Sequence, residues 1–372
     1  MLKKLKSIVI VGFTHRKGEG GGNIHINNLI PFWESSGIKV IIFDPVNVNK
    51  FDLISVLKAT FQAAIFKICH VLEANNADLI ISESPYPPDV ITAYRLSRKY
   101  MKPMAIYLHH ISPPVSVYPF RRGILRVLLN VIYTSFLLSF VKKFKIPIFL
   151  DNPNTLENYE GSVFPNLIAL SRRNSDDEPN VIRSYFDYDI CYVGRIENHK
   201  GVEDFVEVIS ILKNKYSMNL RAVIAGKGKE SYVKRIEKMI GRLGLSENII
   251  MKGFIQEAEK FQLLKRSRMF LFLSYEEGWS ISVMEAASVG IPIVAYALPA
   301  YYYLKDNYFS IPIGNIETCA RTIKNILNNY AMAKETAMRA KKCVEIFSYD
   351  FIAKQQLIFF GKITKNFLHD QM

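Results

Sequence analysis

The chain has few cysteines and lacks the common phosphate-loop motifs. Cys69, Cys191, Cys319 and Cys343 are its four cysteines, and no two of them form a C-x-x-C pair. Neither a disulfide framework nor a zinc site is therefore indicated, and reduced intracellular thiols are expected. Neither G-x-G-x-x-G nor G-x-x-x-x-G-K-[ST] occurs, which excludes the two usual nucleotide-binding fingerprints.

Acidic side chains are absent from one long stretch. No Asp or Glu occurs between residues 90 and 150, although the whole chain contains 34 and has a net charge of +14. The segment 95–145 carries ten basic side chains: Arg95, Arg98, Lys99, Lys102, Arg121, Arg122, Arg126, Lys142, Lys143 and Lys145. Such a segment indicates an anionic partner, namely a membrane with acidic lipids, a nucleic acid or a phosphorylated substrate. No nucleic-acid-binding motif accompanies the charge, which disfavours nucleic acid.

A secretory leader is not indicated either. The apolar run 7–13 is too short for a signal peptide, and no small-residue cleavage site follows it. We therefore expect this run to be the first β-strand of a cytoplasmic protein. The length of 372 residues fits two domains of ordinary size.

The most informative stretch is 269–299. The apolar runs 269–273 and 291–296 predict buried strands, and the apolar positions of 281–288 recur at helical spacing. Gly290 is the expected end of that helix. The order strand, loop, helix, strand is typical of parallel α/β sheets.

Two carboxylates flank the start of the predicted helix. The first N–H groups of a helix lack partners and carry partial positive charge, so they form an anion site. Glu277 lies in the loop before the helix, and Glu285 lies about one turn into it. Carboxylates repel a phosphate but bind hydroxyl groups on either side of it. A nucleotide diphosphate sugar has that layout, with ribose and sugar hydroxyls on opposite sides of the diphosphate.

The spacing Glu277-x7-Glu285, in the setting E-G-W-S-I-S-V-M-E-A, resembles the signature of retaining glycosyltransferases of the GT-B fold, family 4. The resemblance implies an α/β protein with two facing Rossmann-like domains and a cleft between them. It places the acceptor-side domain at 1–175 and the donor-binding domain at 185–349, and a C-terminal helix at about 350–372 packs back on the first domain. The family usually has E-G-F-G at the start of this motif, whereas Ser280 replaces the second glycine here and lacks its conformational freedom.

Arg195 and Lys200 follow the predicted strand 190–193 in the pattern G-R-x4-K-G. Arginine binds a diphosphate as a bidentate fork, and lysine binds it as a point charge. The pattern matches the family's donor-phosphate site. The resemblance therefore implies that both cations bind the donor diphosphate.

The resemblance implies further positions in the site. The donor-binding set adds Gly21, Gly22, Gly226, Phe254, Ile255, Gly278, Trp279, Ser280 and Ile281 to the two cations and Glu285. Phe254 and Ile255 are the expected contacts of the nucleotide base. A histidine directly after the predicted strand 104–108 is expected near the reacting centre. His109, His110 and Glu277 are therefore the candidate catalytic residues. The tyrosines at 301–303 either face the ligands or pack in the core, and packing is favoured.

Residues 124–141 are almost entirely apolar and reach the lower length limit of a membrane span. Three alternatives remain open for this helix. It spans a membrane, it is buried in the first domain, or it lies in the membrane interface with its basic ends on acidic lipids. Many family-4 enzymes are peripheral membrane proteins with such a helix. The resemblance therefore favours the third alternative and a location on the inner face of the cell membrane.

These residues predict transfer of a sugar from a UDP- or GDP-sugar to a membrane-associated glycan or lipid-linked acceptor, with retention of anomeric configuration. Two alternatives remain: a GT-B sugar-nucleotide epimerase or hydrolase, and a non-catalytic membrane-surface protein. No cofactor or metal is expected, because Arg195, Lys200 and the helix N-terminus would stabilise the departing diphosphate in place of a metal. Asp187 and Asp189 match a D-x-D metal motif, which we interpret as a chance match.

Overall fold

The structure is a computed structural model that describes residues 5–12, 21–44, 53–65, 72–108, 124–150, 163–165 and 186–370. These residues fall into two compact units. As far as they are described, the first unit lies within Met1–Ser112, Leu129–Ser171 and Phe347–Met372. The second lies within Pro113–Leu128 and Arg172–Ile346.

Strands and helices alternate along almost the whole described chain. The strands are β1 (Ser7–Val11), β2 (Lys39–Phe43), β3 (Leu79–Ser82), β4 (Met104–Leu108), β5 (Ile148–Leu150), β6 (Val163–Pro165), β7 (Tyr188–Val193), β8 (Ala222–Ala225), β9 (Ile249–Gly253), β10 (Ser267–Phe272), β11 (Ile293–Tyr296) and β12 (Phe309–Ile311). The helices are α1 (Gly21–Ser35), α2 (Leu53–Ile65), α3 (Leu72–Asn75), α4 (Pro87–Tyr100), α5 (Ile124–Lys143), α6 (Val202–Asn214), α7 (Glu230–Arg242), α8 (Glu257–Lys265), α9 (Ile281–Ser288), α10 (Ile316–Asn328), α11 (Tyr330–Val344) and α12 (Tyr349–Asp370). Short 3-10 turns span Asn198–Lys200 and Pro299–Leu304.

The first unit is a parallel sheet in the order β2-β1-β3-β4-β5-β6. On one face, alternate strand residues such as Ile106 and Ile148 pack against α4 and α5. On the other face, Phe149 contacts Phe360 of α12, whose ring also contacts Trp33 of α1. Both faces of the sheet are therefore covered by helices, as a parallel sheet requires.

Helix α5 is half buried over the part whose side chains are described. Leu137 and Val141 belong to the core beside the sheet. In contrast, Ile132 and Phe136 are 65% and 69% exposed. Within the described segments, no helix combines the length and hydropathy needed to cross a membrane.

The second unit is a parallel sheet in the order β12-β11-β10-β7-β8-β9. The chain enters at β7, continues through β8 to β9 on one side, and then returns through β10 to the other side. The strand order therefore reverses between β7 and β10. In open α/β sheets, ligands bind beyond the carboxyl ends of the strands at such a reversal. The predicted α/β class with two Rossmann-like sheets is confirmed.

The unit predicted for residues 269–299 is present as β10, α9 and β11. Gly290 follows α9 with φ of +69°, which is the left-handed conformation that glycine commonly adopts after a helix. Between β2 and β3 the chain forms α2 and α3, and residues 66–71 between these two helices lie outside the described chain.

The two aspartates of the D-x-D sequence lie at the amino-terminal end of β7. Asp187 is paired with Arg266 at 3.1 Å, and Asp189 is paired with Arg268 at 3.3 Å. Ligand-binding loops of a parallel sheet lie at the opposite, carboxyl end of its strands. This placement agrees with the interpretation of the motif as a chance match.

We expect Phe360→Ala to destabilise the first unit by about 3–5 kcal/mol, the usual cost of truncating a buried phenylalanine. Phe360 is fully buried, and its ring centroid lies 5.6 Å from those of both Trp33 and Phe149. Ile358→Ala on the same helix is the matched control, since Ile358 is 51% exposed and its truncation should cost about 0.5 kcal/mol or less. Urea unfolding measures both variants, and equal losses would contradict the packing of α12.

Candidate functional site

The loop after β10 is hydrogen-bonded to the 3-10 turn that follows β7. The main-chain carbonyl of His199 accepts hydrogen bonds from the backbone N–H of Tyr275 at 2.9 Å and from the hydroxyl of Ser274 at 3.4 Å. These two loops follow the two strands between which the strand order reverses. The junction therefore lies at the edge of the sheet where a ligand is expected.

Glycine is required at position 201 because the two loops approach each other closely there. Gly201 has φ of +68°, and a Cβ atom on it would lie 1.8 Å from the carbonyl oxygen of Leu273. Both the conformation and the contact exclude a larger residue. The glycine in the motif G-R-x4-K-G thus has a structural role beside the cation that precedes it.

Lys200 and Glu277 form a buried ion pair at this junction. The ammonium nitrogen of Lys200 lies 2.7 Å from Oε1 of Glu277, and the side chains are 10% and 8% exposed. Each residue provides the opposite charge that the other needs when it is removed from water. Lys200 and Glu277 are 77 residues apart in the sequence, and the sequence analysis assigned both to the same site. The structure brings them into contact.

Arg195 lies on the loop directly after β7 and remains accessible. Its guanidinium group pairs with Glu197 at 2.7 Å, and its side chain is 60% exposed. The hydroxyl of Tyr192, a buried residue of β7, donates a hydrogen bond of 2.8 Å to the carbonyl of Arg195. The backbone is thus held in place while the guanidinium group faces solvent.

Helix α9 begins with a strained residue. Ser280 precedes the helix with φ of +62° and ψ of +83°, in the left-handed region that favours glycine. Its carbonyl accepts hydrogen bonds from the backbone of Met284 and from the hydroxyl of Tyr303, each at 3.2 Å. This backbone conformation explains why the family motif E-G-F-G usually has glycine at the position of Ser280. Serine adopts the conformation here at a cost of about 1 kcal/mol or more.

The side chain of Trp279 is buried in an aromatic cluster. Its ring stacks on Tyr303 with centroids 4.8 Å apart, and Tyr302 meets it edge-on at 5.7 Å. Its indole N–H donates to the sulfur of Met284 at 3.1 Å. Tyr301 and Tyr303 are 1% and 4% exposed, so the predicted packing of the tyrosine run is confirmed for these two residues.

Glu285 is buried one turn into α9, where Lys260 of α8 forms a salt bridge with it. The Glu285 side chain is 9% exposed, and the Lys260 side chain is 20% exposed. Burial raises the pKa of the Glu285 carboxyl group, and the Lys260 ammonium group opposes this rise. Glu257, also on α8, adds to the increase in the pKa.

The turns after β8 and β9 complete the carboxyl edge on the other side of β7. A Cβ atom on Gly226 would lie 1.7 Å from the carbonyl oxygen of Gly194, so glycine is needed where the turns after β7 and β8 meet. The N–H of Gly226 donates to the carbonyl of Gly253 at 2.7 Å. Beyond that residue, Phe254 is 70% exposed and Ile255 is half-buried. An aromatic face is thus presented to solvent at the position expected for a nucleotide base.

The buried carboxylate of Asp204 also holds the loop after β10 in place. Asp204 in the first turn of α6 is 2% exposed and accepts hydrogen bonds from the hydroxyls of Tyr275 and Tyr296, both at 2.5 Å. Burial is the main cause that raises the pKa of Tyr296, and the negative charge of Asp204 is the second. The network joins α6, β11 and the loop that carries Glu277.

The remaining predicted residues belong to the first unit. Gly21 and Gly22 are the first residues of α1. His109 and His110 follow β4 directly, but they lie outside the residues that the structure describes.

Sequence reasoning missed three groups at the site of the second unit. These are Lys260, the partner of Glu285; Tyr303, whose hydroxyl bonds to the carbonyls of Trp279 and Ser280; and the network of Asp204. None of them belongs to a local motif, because each contacts its partner across 20 or more residues. The unusual density of tyrosines around 301–303 was the one available signal.

The C-terminal half of the chain matches a known family. The sequence pattern described as "Glycosyl transferases group 1" matches residues 178–343. An uncharacterized glycosyltransferase of Methanocaldococcus jannaschii is 25% identical over 170 residues, which cover 45% of this chain and 43% of that protein. One component of the human phosphatidylinositol N-acetylglucosaminyltransferase is 26% identical over 134 residues, covering 36% of this chain and 26% of that protein. The chain spans less than two thirds of the length of the curated relatives it matches.

Solved structures share the fold over nearly the whole chain. Sucrose-phosphate synthase from Thermosynechococcus elongatus has a TM-score of 0.78 at 14% identity, covering 97% of this chain and 100% of that protein. The Anabaena protein HepE, solved with UDP and glucose, has a TM-score of 0.66 at 17% identity, covering 96% of this chain and 100% of that protein. The chain therefore shares the GT-B fold of these structures.

We expect Gly201→Ala to destabilise the second unit by more than about 2 kcal/mol, because its Cβ atom would overlap the Leu273 carbonyl oxygen at a positive φ. The matched control is Gly241→Ala inside α7, where a Cβ atom has no neighbour within 4 Å and should stabilise the helix by up to about 1 kcal/mol. Thermal denaturation of the two variants measures both effects. A neutral Gly201→Ala would contradict the close approach of the two loops.

Proposed function

We propose that the chain transfers a sugar from a nucleotide diphosphate sugar to an acceptor, because residues 178–343 match the sequence pattern described as "Glycosyl transferases group 1". The donor is a UDP- or GDP-sugar, the transferred group is a hexosyl residue, and the anomeric configuration is retained. The observation that supports this most is the Lys200–Glu277 pair at the start of α9. It places a cation, a carboxylate and the N-terminus of a helix at one point of the sheet edge.

The diphosphate would bind between Lys200, Arg195 and the N-terminus of α9. A lysine ammonium group has three donors, so Lys200 can retain Glu277 and also bind a phosphate oxygen. The backbone of Gly278, Ser280 and Ile281 adds N–H groups and the positive end of the helix dipole. These groups would stabilise the charge that develops on the departing diphosphate.

The two glutamates would bind the hydroxyl groups on either side of the diphosphate. Glu277, held by Lys200, would accept hydrogen bonds from the donor sugar, and Glu285 would accept them from the ribose. Phe254 offers an exposed aromatic face for the base, with Ile255 beside it. On this proposal, Phe254, Glu285, Lys200 and Glu277 would contact the base, the ribose, the diphosphate and the sugar respectively.

The first unit would contribute the acceptor side of the reaction. We propose that His109 and His110, which follow β4 in the sequence, act near the reacting centre, and that Gly21 and Gly22 allow close approach of the backbone to the diphosphate. We propose that no metal or other cofactor is needed, because the cations and helix dipole supply the required positive charge.

We propose that the acceptor is a membrane-associated glycan or lipid and that the protein binds the inner face of the cell membrane. Ile132 and Phe136, one turn apart, are exposed on α5, and Lys142, Lys143 and Lys145 follow as exposed cations. An apolar patch beside basic residues binds acidic lipids. The name of the human relative, which couples N-acetylglucosaminyl transfer to phosphatidylinositol, supports a lipid acceptor.

Donor binding is predicted to depend on the Lys200–Glu277 pair. Lys200→Ala should lower kcat by about 10²–10³-fold, as removal of a donor to a developing anion does. Glu277→Ala should abolish the thermal stabilisation given by the preferred nucleotide sugar. A thermal-shift screen of UDP- and GDP-sugars, with Mg²⁺ and with EDTA, identifies the nucleotide, and equal shifts in both conditions are expected.

Lys234 and Glu230 of α7 form the matched control pair. They are joined by a 2.6 Å salt bridge, but their side chains are 65% and 81% exposed. Alanine at either position should leave donor binding unchanged. If both active-site variants bound and turned over donor normally, the site assignment would be wrong. Donor consumption at equal rates with and without any acceptor would favour the hydrolase alternative.

Binding to acidic vesicles is predicted to depend on the basic end of α5. Changing Lys142→Gln and Lys143→Gln together should weaken sedimentation with phosphatidylserine vesicles by about tenfold or more, since each lysine near an anionic surface contributes about 1 kcal/mol. Phe136→Ser should also weaken it, whereas Ile358→Ser on α12, equally apolar and 51% exposed, should not. Equal binding of the native protein to neutral vesicles would contradict an electrostatic contribution.

A further inference from the structure

A salt bridge between Lys260 and Glu285 connects helices α8 and α9. The proposed function gives a role to Glu285 but none to Lys260. Lys260 lies in the first half of α8 and bonds through Nζ to Oε1 of Glu285 in α9. Helix α8 begins at Glu257, two residues after Ile255, which with Phe254 is a proposed contact of the base. The pair therefore connects the element that would hold the base with the residue that would hold the ribose.

The burial of this pair exceeds that of an ordinary surface salt bridge. The Glu285 side chain is 9% exposed and that of Lys260 is 20% exposed. For comparison, Lys252 and Glu259 form a neighbouring pair between β9 and α8 with 32% and 50% exposure. A carboxylate that is removed from water to this degree keeps its charge only if a cation stays beside it.

The charged groups around Glu285 act in opposite directions. Lys260 stabilises the ionised carboxylate, whereas burial and the neighbouring Glu257 favour the neutral acid and raise the pKa of Glu285. A neutral carboxyl group keeps one proton on its oxygens and offers fewer acceptor sites than the ion. Two adjacent hydroxyl donors, as in a ribose, match the acceptor sites of the ionised form.

We propose that Lys260 is a positioning residue that holds Glu285 as an oriented anion, able to accept hydrogen bonds from the vicinal hydroxyls of a nucleotide ribose. The inference rests on the proposed function, because it assumes that a nucleotide binds at this edge. Lys260 itself bonds to Oε1, which leaves acceptor sites on Oε2 for the ligand. The Glu285 carboxylate would then bind ribonucleotides more tightly than 2′-deoxyribonucleotides, and this preference would depend on Lys260.

The first test compares the affinities of UDP and GDP with those of their 2′-deoxy forms by calorimetry. For the nucleotide that the native protein prefers, loss of the 2′-hydroxyl should weaken binding by about tenfold or more, as for hydrogen bonds to charged groups. In Lys260→Met this discrimination should shrink to nearly nothing, and Lys260→Arg should restore it. Lys252→Met, from the exposed pair, is the matched control and should leave it unchanged.

The second test uses pH to distinguish positioning from simple loss of structure. Lys260 lowers the pKa of Glu285, so in Lys260→Met that pKa should rise further, and the affinity for the ribonucleotide should begin to decrease at a higher pH than in the native protein. The native protein should keep its affinity to a lower pH. In a Glu285→Gln background, Lys260→Met should add little further loss, because there is no carboxylate left to hold.

The outcomes separate this inference from the proposed function. If the native protein binds neither UDP nor GDP, both are overturned. If it binds one of them but Lys260→Met keeps the 2′-hydroxyl discrimination and the native pH profile, the role of Lys260 alone is overturned. If Lys260→Met does not fold, unchanged discrimination in Glu285→Gln, whose amide removes the charge, overturns the role in the same way.

Discussion

The carbonyl group of His199 accepts two hydrogen bonds from the loop after β10, and the positions of Lys200 and Glu277 both depend on that junction. The loops after β7 and β10 leave the sheet in different directions, because the strand order reverses between these two strands. Without the junction, the two loops would diverge. One of these bonds comes from the backbone N–H of Tyr275 and the other from the Ser274 hydroxyl, and Gly201 allows the loops to approach. Lys200 and Glu277 therefore lie on loops that are already bonded to each other.

Three of the carboxylates at this edge are neutralised or hydrogen-bonded in different ways. Glu277 pairs with Lys200, Glu285 pairs with Lys260, and Asp204 receives two tyrosine hydroxyls. Buried charge without such partners would cost several kcal/mol per group. The first two carboxylates lie where a polar ligand is proposed, whereas the third stabilises the loop from the core. Burial of acidic groups at one sheet edge thus stabilises the loop geometry, and the proposed function adds ligand recognition to that role.

Much of the second unit was predictable from sequence because its signals are local. The strand–loop–helix–strand pattern, the stop at Gly290 and the cation spacing Arg195 to Lys200 each occupy a few adjacent residues. Lys260, the partner of Glu285, was not predictable from the sequence. The pair depends on how α8 packs beside α9, and strand β10 and the loop after it separate these two helices in the chain. Ser280 illustrates a third situation. The sequence showed that a glycine was replaced, but only the backbone angle of +62° shows that the replacement retains the glycine conformation.

The distribution of tryptophan has an experimental consequence. The chain contains two tryptophans, Trp33 and Trp279, and each unit holds one of them in a buried aromatic environment. Trp33 contacts the ring of Phe360, whereas Trp279 lies directly before the strained residue at the start of α9. Tryptophan fluorescence therefore contains one emitter per unit. With either indole replaced by phenylalanine, the remaining tryptophan emission reports the unfolding of a single unit, and that of Trp279 also reports events at the loop before α9.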